Sequence, residues 1–306
     1  MKASRFYETV HLMLKCIELV SKESCFALKG GTAINLFVRD MPRLSVDIDL
    51  TYLPLDSRDE ALSNISSALQ RISQDIKKRI PGSKVLETKA KGKDQRVIKL
   101  VVSADNQLVT IEPNEVLRGA VFNPEVLYLC SKAEKNFEMT TKINTLSKND
   151  LYGGKLCAAL DRQHPRDIFD IKMLLENEGI TDDIRKAFVV YLAGHDRPIN
   201  ELIDPPRKNI DEIYERDFVD MAEREVSLSE LKAARELYIN KLKNDLTDKE
   251  RRFLLRLKLG TPDWDLLGIP GIDKLPSIQW KLQNIQKMKK DKHDQYVDLL
   301  RKKLAL

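Results

Sequence analysis

Two aspartates stand one residue apart in the segment LSVDIDLTYL, where apolar and polar residues alternate as they do in a half-buried strand. Because successive side chains on a strand point to opposite faces, Asp47 and Asp49 are predicted to share one face. Two ionised carboxylates this close repel each other, and a divalent cation between them is a simple way to keep both charged. Mg²⁺ binds oxygen ligands and leaves room for substrate phosphates, so the pair predicts a Mg²⁺ site, with Mn²⁺ as an alternative.

A glycine pair precedes this strand. Gly30 and Gly31 end a short apolar segment and come before a predicted helix with Thr32 as its N-cap. Glycine lets the backbone approach a phosphate closely, and a helix N-terminus offers free N–H groups to an anion. Sixteen residues separate Gly30 from Asp47. A glycine turn that holds a triphosphate and a carboxylate pair that holds metal together meet the needs of phosphoryl transfer.

A third acid would complete a two-metal site. Glu112 is our candidate, because it ends an apolar strand that is predicted to lie beside the strand of Asp47. The alternative is an exposed glutamate at a strand end with no catalytic role.

Charged residues also recur in KLCAALDRQHPRDIFDIKMLL, residues 155–175. Lys155 and Arg162 are seven residues apart and share a helix face, and Asp167 and Asp170 are three apart on the next helix. Such a charge run is typical of a solvated pair of helices. In the functional interpretation, Lys155 reaches the triphosphate and Asp170 orients it or a partner helix.

The elements that carry these residues predict two domains. Residues 1–145 read as an opening helix, then strand, helix, strand, helix and a hairpin of strands 97–102 and 108–113, which is a small mixed α/β domain. Asp56 is the expected cap of the helix at 57–80.

Residues 146–306 are predicted to be helical. The expected helices are DLYGGKLCAALDR capped by Ser147, one that begins at Pro165 and stops at Gly179, two at 182–193 and 228–244, one at 248–259 with a Thr247–Glu250 capping box, and a last basic helix from Ser277 to Leu304. Residues 271–306 hold nine Lys/Arg and four Asp/Glu, so this end of the chain has a local charge excess of +5 that suits a nucleic-acid backbone.

Length and composition exclude several classes of protein. The 306 residues allow two domains, and the net charge of +5 is compatible with a nucleotide or nucleic-acid partner. The four cysteines form no close pair, no signal peptide is visible and no apolar run reaches the roughly 18–20 residues of a membrane span, so we expect a cytoplasmic protein with no membrane partner. The four histidines are not spaced as zinc ligands, and neither a Ser/His/Asp elbow nor a Walker lysine motif occurs.

The segments KGGTAINLFVRDMPRLSVDIDL and KLCAALDRQHPRDIFD resemble the motifs of the AbiEii/AbiGii toxin family of nucleotidyltransferases, which includes the MenT-like toxins. The C-terminal stretch LPSIQWKLQNIQKM is similar to the usual ending of that family, so the resemblance covers both halves of the chain. One departure concerns the phosphates. The wider polymerase-β-like superfamily carries Gly-Ser where this chain has Gly30-Gly31, so either the Thr32 hydroxyl substitutes or contact is by the backbone alone.

The resemblance implies a polymerase-β-like nucleotidyltransferase domain followed by an all-α helical domain. Asp47 and Asp49 would bind metal, Lys155 and Asp170 would be the other essential residues, and Gly30 and Gly31 would contact the nucleotide phosphates. It also implies a toxin of a toxin–antitoxin pair, often linked to phage defence, that adds nucleotides from an NTP to the 3′ end of tRNA. The partner would be an antitoxin encoded beside the toxin.

Three alternatives remain at this stage. The same site could transfer a nucleoside monophosphate to a protein side chain. The Asp-x-Asp pair could belong to another metal-dependent enzyme, such as a nuclease or a glycosyltransferase. Finally, the acids could be structural, in a non-catalytic protein whose basic tail binds RNA or a partner.

Overall fold

The computed structural model describes residues 6–92 and 95–306. These residues form two compact units, and each is described by itself. The first unit comprises Met1–Ser147 and Val219–Glu225, and the second comprises Lys148–Phe218 and Val226–Leu306. Across the described ranges, no helix combines the length and the apolarity that a membrane crossing requires.

The first unit is built on a seven-stranded mixed sheet. Its strands are β1 (Phe26–Lys29), β2 (Asp47–Tyr52), β3 (Lys84–Lys89), β4 (Val97–Ala104), β5 (Gln107–Asn114), β6 (Glu125–Tyr128) and β7 (Lys142–Thr145). They lie in the order β3-β4-β5-β2-β1-β7-β6. The pairs β2–β5 and β1–β7 are parallel and the other pairs are antiparallel, so the strand of the two aspartates lies inside the sheet between β1 and β5.

Helices cover one face of this sheet. The helical segments of the first unit are α1 (Tyr7–Val20), α2 (Gly30–Ala33) with a π-helical continuation (Ile34–Val38), α3 (Arg58–Arg79) and α4 (Ser131–Phe137). α1 packs against β5, β2 and β7, and α3 packs against β3 and β4. The contact buries Ile48, Leu50 and Ile111 of the sheet completely. Burial of such a side chain contributes about 1.5–3 kcal/mol, so this layer fixes which face of β2 is left for polar residues.

A short segment late in the chain belongs to the first unit. The N–H of Leu44 donates to the carbonyl of Met221 at 2.8 Å, and the N–H of Glu223 donates to the carbonyl of Pro42 at 2.9 Å. Arg43 and Ala222 form an isolated antiparallel bridge between these two bonds. Residues 219–225 therefore hold the loop that leads into β2.

The second unit is all-helical in the residues described. Its α-helices are α5 (Lys148–Arg162), α6 (Pro165–Glu176), α7 (Asp182–Ala193), α8 (Ile199–Leu202), α9 (Asp211–Asp217), α10 (Leu228–Asp245), α11 (Asp248–Lys258), α12 (Pro276–Gln286) and α13 (Lys290–Leu304). α5 and α7 approach closely at Gly153, where a Cβ atom would lie 2.7 Å from the Cβ atom of Ala187. Glycine at this position therefore sets the spacing of the two helices.

The predicted fold class, an α/β part followed by a helical part, is confirmed. The hairpin of β4 and β5 forms as expected and turns through Asp105 and Asn106, both with positive φ. Pro165 is the first residue of α6, and Thr247 and Glu250 form the expected capping box of α11.

Three local predictions are wrong. The helix that follows β1 begins at Gly30 with Lys29 as N-cap, so Thr32 lies inside it. α3 is capped by Ser57, because the carboxylate of Asp56 instead accepts a hydrogen bond from the Tyr52 hydroxyl at 2.6 Å.

The third wrong prediction is the single C-terminal helix, which is two helices, α12 and α13, separated at Lys287–Lys289. α12 buries Ile278 and Ile285, whereas α13 buries Val297, Leu300 and Leu304. In one straight helix, Val297 would point about 120° away from Ile285, because each residue turns the helix by about 100°. The break allows both apolar stripes to be buried.

Candidate active site

β2 places the two aspartates on one face of the sheet. Asp49 lies in register with Glu112 on the parallel strand β5 and with Lys29 on the antiparallel strand β1, and Asp47 lies in register with Thr110. Residues in register on neighbouring strands point to the same face and lie about 4.8 Å apart. The structure thus brings Asp47, Asp49 and Glu112 to one face, with Asp49 beside Glu112.

Gly30 lies directly against the carboxylate of Asp49. Its φ is +75°, a left-handed conformation that L side chains rarely adopt. A Cβ atom built on Gly30 would lie 2.5 Å from Oδ2 of Asp49, well inside van der Waals contact. Glycine is therefore required here for two independent reasons, the backbone conformation and the closeness of the carboxylate.

Gly31 lies against two residues that our sequence analysis did not single out. A Cβ atom on Gly31 would lie 2.6 Å from Nη2 of Arg43 and 3.0 Å from Oγ of Ser45. Arg43 is 2% exposed, and its Nη1 donates to the carbonyl of Leu44 at 2.8 Å. A buried guanidinium and a hydroxyl group thus stand behind the glycine turn, where a phosphate group would need positive charge.

A signal for these two residues was present in the sequence. Arg43, Ser45, Asp47 and Asp49 occupy every second position of RLSVDID, while the residues between them are apolar. The alternation that identified the two aspartates therefore extends four residues further toward the N-terminus than the strand itself.

Thr32 is tied to the strand of the aspartates. Its hydroxyl donates to the backbone carbonyl of Asp47 at 2.5 Å and lies 3.6 Å from Sδ of Met13, and the residue is 1% exposed. Of the two ways to contact a phosphate that the sequence left open, this bond favours contact through backbone N–H groups of the Gly30-Gly31 turn. Thr32 instead fixes where β2 begins.

Glu112 is paired with a lysine on the next strand. Its Oε2 lies 2.9 Å from Nζ of Lys99, and its side chain is about half exposed. Asp47 and Asp49 supply hard oxygen donors on one face, and one or two carboxylates plus substrate phosphates are the usual ligands of Mg²⁺, so the residues present fit that ion. Within the part of the chain that the structure describes, no group of three or more His, Cys, Asp or Glu side chains is arranged as a ready metal site.

In the second unit, Lys155 and Asp170 are in direct contact. Nζ of Lys155 lies 3.0 Å from Oδ2 of Asp170 and 3.0 Å from Oδ1 of Asp167, and all three residues are buried. Arg162 also binds Asp167, with Nη2 2.8 Å from Oδ2. Burial alone would raise the pKa of the Asp167 carboxyl, but the positive charges of Lys155 and Arg162 outweigh burial and lower this pKa to about 2.

The turn between α5 and α6 sets this charged cluster. Gln163 has φ +52°, His164 caps α6 by accepting a hydrogen bond from the N–H of Arg166 at 3.2 Å, and Pro165 opens the helix. The buried Gln163 side chain donates to the carbonyl of Pro206 at 2.7 Å and accepts from the N–H of Lys208 at 3.0 Å. This anchoring fixes the position of the first turn of α6 against α5. Of the charged residues in this run, Lys155, Asp167 and Asp170 are buried, whereas Arg162 is exposed as a solvated helix pair would have it.

Comparisons with known proteins match most of the chain. The family model described as "Nucleotidyl transferase AbiEii toxin, Type IV TA system" matches residues 12–284. Among solved structures, the chain is similar to MenT4, a nucleotidyltransferase toxin from Mycobacterium tuberculosis H37Rv, with a TM-score of 0.60 and 14% identity over 91% of this chain and 93% of that one. JHP933 from Helicobacter pylori also matches, with a TM-score of 0.43 and 17% identity over 78% of this chain and 94% of that one. No protein with a curated description matches the chain.

Proposed function

Since the chain belongs to the AbiEii family of nucleotidyltransferase toxins of type IV toxin–antitoxin systems, we propose that it transfers a nucleoside monophosphate from an NTP to the 3′ end of tRNA. The enzyme class is that of the family, an NTP-using nucleotidyltransferase toxin. Beyond this enzyme class, we propose that tRNA is the acceptor, that Mg²⁺ is the metal, and that the residues named below form the site. Its consequence would be a tRNA that can no longer be aminoacylated, and therefore a block of translation.

One observation carries the assignment of the site. The glycine turn lies against the carboxylate of Asp49, so close that a Cβ atom on Gly30 would be 2.5 Å from Oδ2. A backbone that can approach a phosphate and a carboxylate that can hold a cation are thus adjacent. That adjacency is what transfer from a nucleoside triphosphate requires, because the phosphates and the metal must share one place.

The residues of the first unit then have separate roles. Asp47 and Asp49 would hold Mg²⁺, which when bound would neutralise the triphosphate and favour the ionised form of the attacking hydroxyl. The N–H groups of the Gly30-Gly31 turn would bind phosphate oxygens, with the Arg43 guanidinium adding positive charge behind them. Glu112 would accept the proton of the 3′-hydroxyl.

In the transfer itself, the 3′-oxygen forms a bond to the α-phosphorus, and the bond from that phosphorus to the bridging oxygen of the β-phosphate breaks. Pyrophosphate leaves. In the second unit, we propose that Lys155 and Asp170 are also essential for activity, with the Asp170 carboxylate, 3.0 Å from the Lys155 ammonium group, holding that group in place. Since a type IV toxin acts in a pair, we also propose that an antitoxin encoded beside the gene controls this activity.

The test uses purified protein, Mg²⁺, each α-³²P-labelled NTP in turn, and total RNA plus total protein from the host, separated on a denaturing gel. We expect a label in a tRNA-sized band with one NTP. Asp47→Asn should abolish the label, whereas Asp59→Asn, which changes an exposed aspartate at the start of α3, should keep it.

Two results would overturn parts of the proposal. Label in a protein band would show that the protein transfers nucleotides, but to a protein acceptor and not to tRNA. RNA fragments without label would show that the protein cleaves RNA and does not transfer nucleotides to it.

A further inference from the structure

The sheet face that carries the aspartates continues onto β5, β4 and β3 as an open surface. Leu86 and Leu108 are 67% and 64% exposed on this face, although leucine is usually buried. The opposite face of the same strands is covered by α1 and α3. Two large apolar side chains therefore project into solvent from a sheet whose other side is closed.

Strand register connects these leucines to the aspartates. Leu86 lies in register with Val101, Val101 with Thr110, and Thr110 with Asp47. Three strand spacings of about 4.8 Å separate the ends of this row, so Leu86 and Asp47 lie roughly 14 Å apart on one continuous face. Bases stacked at about 3.4 Å per nucleotide would need about four nucleotides to cover that distance.

A second row of residues in register, beside the first, joins Lys84 to Leu108. Lys84 lies in register with Ser103 and Ser103 with Leu108, and Leu108 is two residues from Thr110 on the same face of β5. We call Lys84, Leu86, Val101, Leu108 and Thr110 together the acceptor face. Its composition is mixed: Leu86, Val101 and Leu108 offer aliphatic contact area, and the hydroxyl group of Thr110 and the ammonium group of Lys84 can form hydrogen bonds.

The segment that carries β3 and β4 is rich in positive charge. Residues 84–104 contain six Lys/Arg and two Asp/Glu, an excess of +4 in a chain whose net charge is +5. One of the acids, Glu87, faces the other way and accepts a hydrogen bond from Ser73 of α3 at 2.7 Å. A segment with an excess of positive charge and two exposed leucines matches an unpaired RNA strand, whose base faces are apolar and whose backbone is anionic.

We propose that the acceptor face binds the unpaired nucleotides at the 3′ end of the RNA acceptor and leads that end to Asp47 and Asp49. The inference rests on the proposed function, because it names where the acceptor of that reaction lies. Single-stranded ends are the parts of RNA whose bases are free to contact side chains. The leucines contact base faces, and Lys84 contacts a phosphate group.

The first test is direct binding without NTP, so its result does not depend on catalysis. The probe is an RNA hairpin with a 5′ fluorophore and a four-nucleotide single-stranded 3′ extension, measured by fluorescence anisotropy. The double variant Leu86→Ser/Leu108→Ser should weaken binding by about tenfold, because each serine removes apolar surface that would contact a base. The matched control is Leu237→Ser, because Leu237 is 57% exposed on α10 and lies outside the acceptor face.

The second test isolates the ammonium group. Lys84→Gln should reduce the slope of log Kd against log salt by about one, and Lys78→Gln, an exposed lysine on α3, should leave it unchanged. In the labelling reaction, the leucine variant should raise KM for the RNA acceptor and leave KM for the NTP unchanged. Unchanged melting curves will show that the variants remain folded.

A third test needs no variant. A 4-thiouridine placed in the 3′ extension and irradiated at long wavelength should crosslink to peptides of β3–β5. Crosslinks confined to other peptides, or wild-type RNA affinity in the leucine variant, would overturn the proposal. So would a leucine variant that binds RNA normally but no longer retains the antitoxin, since the face would then be a protein-docking surface. Failure of the proposed function is seen separately, as wild-type protein that labels no RNA.

Discussion

Oδ2 of Asp49 lies 2.5 Å from the position that a Cβ atom on Gly30 would take. The candidate metal ligand and the candidate phosphate-binding turn are thus in contact, so a side chain cannot be added to one without displacing the other. The left-handed φ of Gly30 adds a second constraint that acts in the same direction.

Gly30→Ala should abolish nucleotidyl transfer. The methyl group would displace the Asp49 carboxylate, and the left-handed conformation would add about 1–2 kcal/mol of strain. Gly82→Ala is the matched control, because Gly82 has nearly the same φ, +72°, with nothing within 4 Å of its added Cβ atom. Transfer rates and thermal melting of both variants separate the clash with Asp49, which only Gly30→Ala has, from the backbone strain, which both have. Equal activity in the two variants would contradict the prediction.

Glu112→Gln should lower kcat for transfer by roughly a hundredfold or more, since a positioned base contributes about 10²–10⁴ in rate. KM for the NTP should stay near its wild-type value. Glu125→Gln is the control, because Glu125 is an exposed glutamate on the edge strand β6. A fully active Glu112→Gln enzyme would leave Glu112 as an exposed strand-end residue that forms an ion pair with Lys99.

Asp167 should make stability depend on acid pH. Its pKa is lowered in the folded state to about 2 from 3.8, so the folded state binds fewer protons than the unfolded state between these values. Ionised Asp167 therefore adds about 2 kcal/mol to the free energy of unfolding above pH 3.8, and this stabilisation is lost as the pH falls toward 2. Chemical denaturation across this range should show a steeper loss for the wild type than for Asp167→Asn.

The same variant should be less stable at neutral pH. Removing the negative charge of Asp167 leaves the buried Lys155 with Asp170 alone of the two aspartates and removes one ionic contact of Arg162; breaking a buried ion pair typically costs about 3–5 kcal/mol. Asp182→Asn is a suitable control, since Asp182 also binds an arginine but is exposed. Similar stabilities of the two variants would show that the buried cluster contributes no more than a surface pair.

Gly153 and Gly154 should respond in opposite directions to alanine. A Cβ atom on Gly153 would lie 2.7 Å from both the Cβ atom of Ala187 and the backbone nitrogen of Phe188, so Gly153→Ala should force α5 and α7 apart and cost about 1–3 kcal/mol. At Gly154, the nearest atom is in the Tyr191 ring at 3.9 Å, so Gly154→Ala should be tolerated and gain up to about 1 kcal/mol of helix propensity. Urea denaturation of the pair measures both.

The sequence predicted the parts of the fold whose signal is local. The alternation around Asp47 identified β2, two β-rich runs identified the hairpin, and Pro165 marked the start of α6. The strands β3, β6 and β7 were missed. β3 and β6 are the edges of the sheet and read KVLETK and EVLY, and none of their residues is buried, because an edge strand needs little apolar surface.

The sequence also predicted part of the candidate site. Residue spacing singled out Asp47, Asp49, Gly30 and Gly31, which the structure places together. Spacing gave no information on depth, and for that reason Lys155 and Asp170 could be read as part of a solvated face, although they are buried. Burial of a charge depends on partners from other elements of the fold, which periodicity along one helix does not reveal.

The bonds from Met221 and Glu223 to the loop before β2 have a consequence for the order of synthesis. While the chain is being translated, Asp49 leaves the ribosome long before Met221 does, and at about 5–20 residues per second the delay is roughly 10–30 s. During that interval the lead-in to β2 lacks the backbone partner that holds it. A nascent chain, or one truncated after residue 147, would therefore carry Gly30, Asp47, Asp49 and Glu112 without the last segment that holds the loop before β2. A ribosome making this toxin would release the segment that completes the first unit only after about three-quarters of the chain has been made.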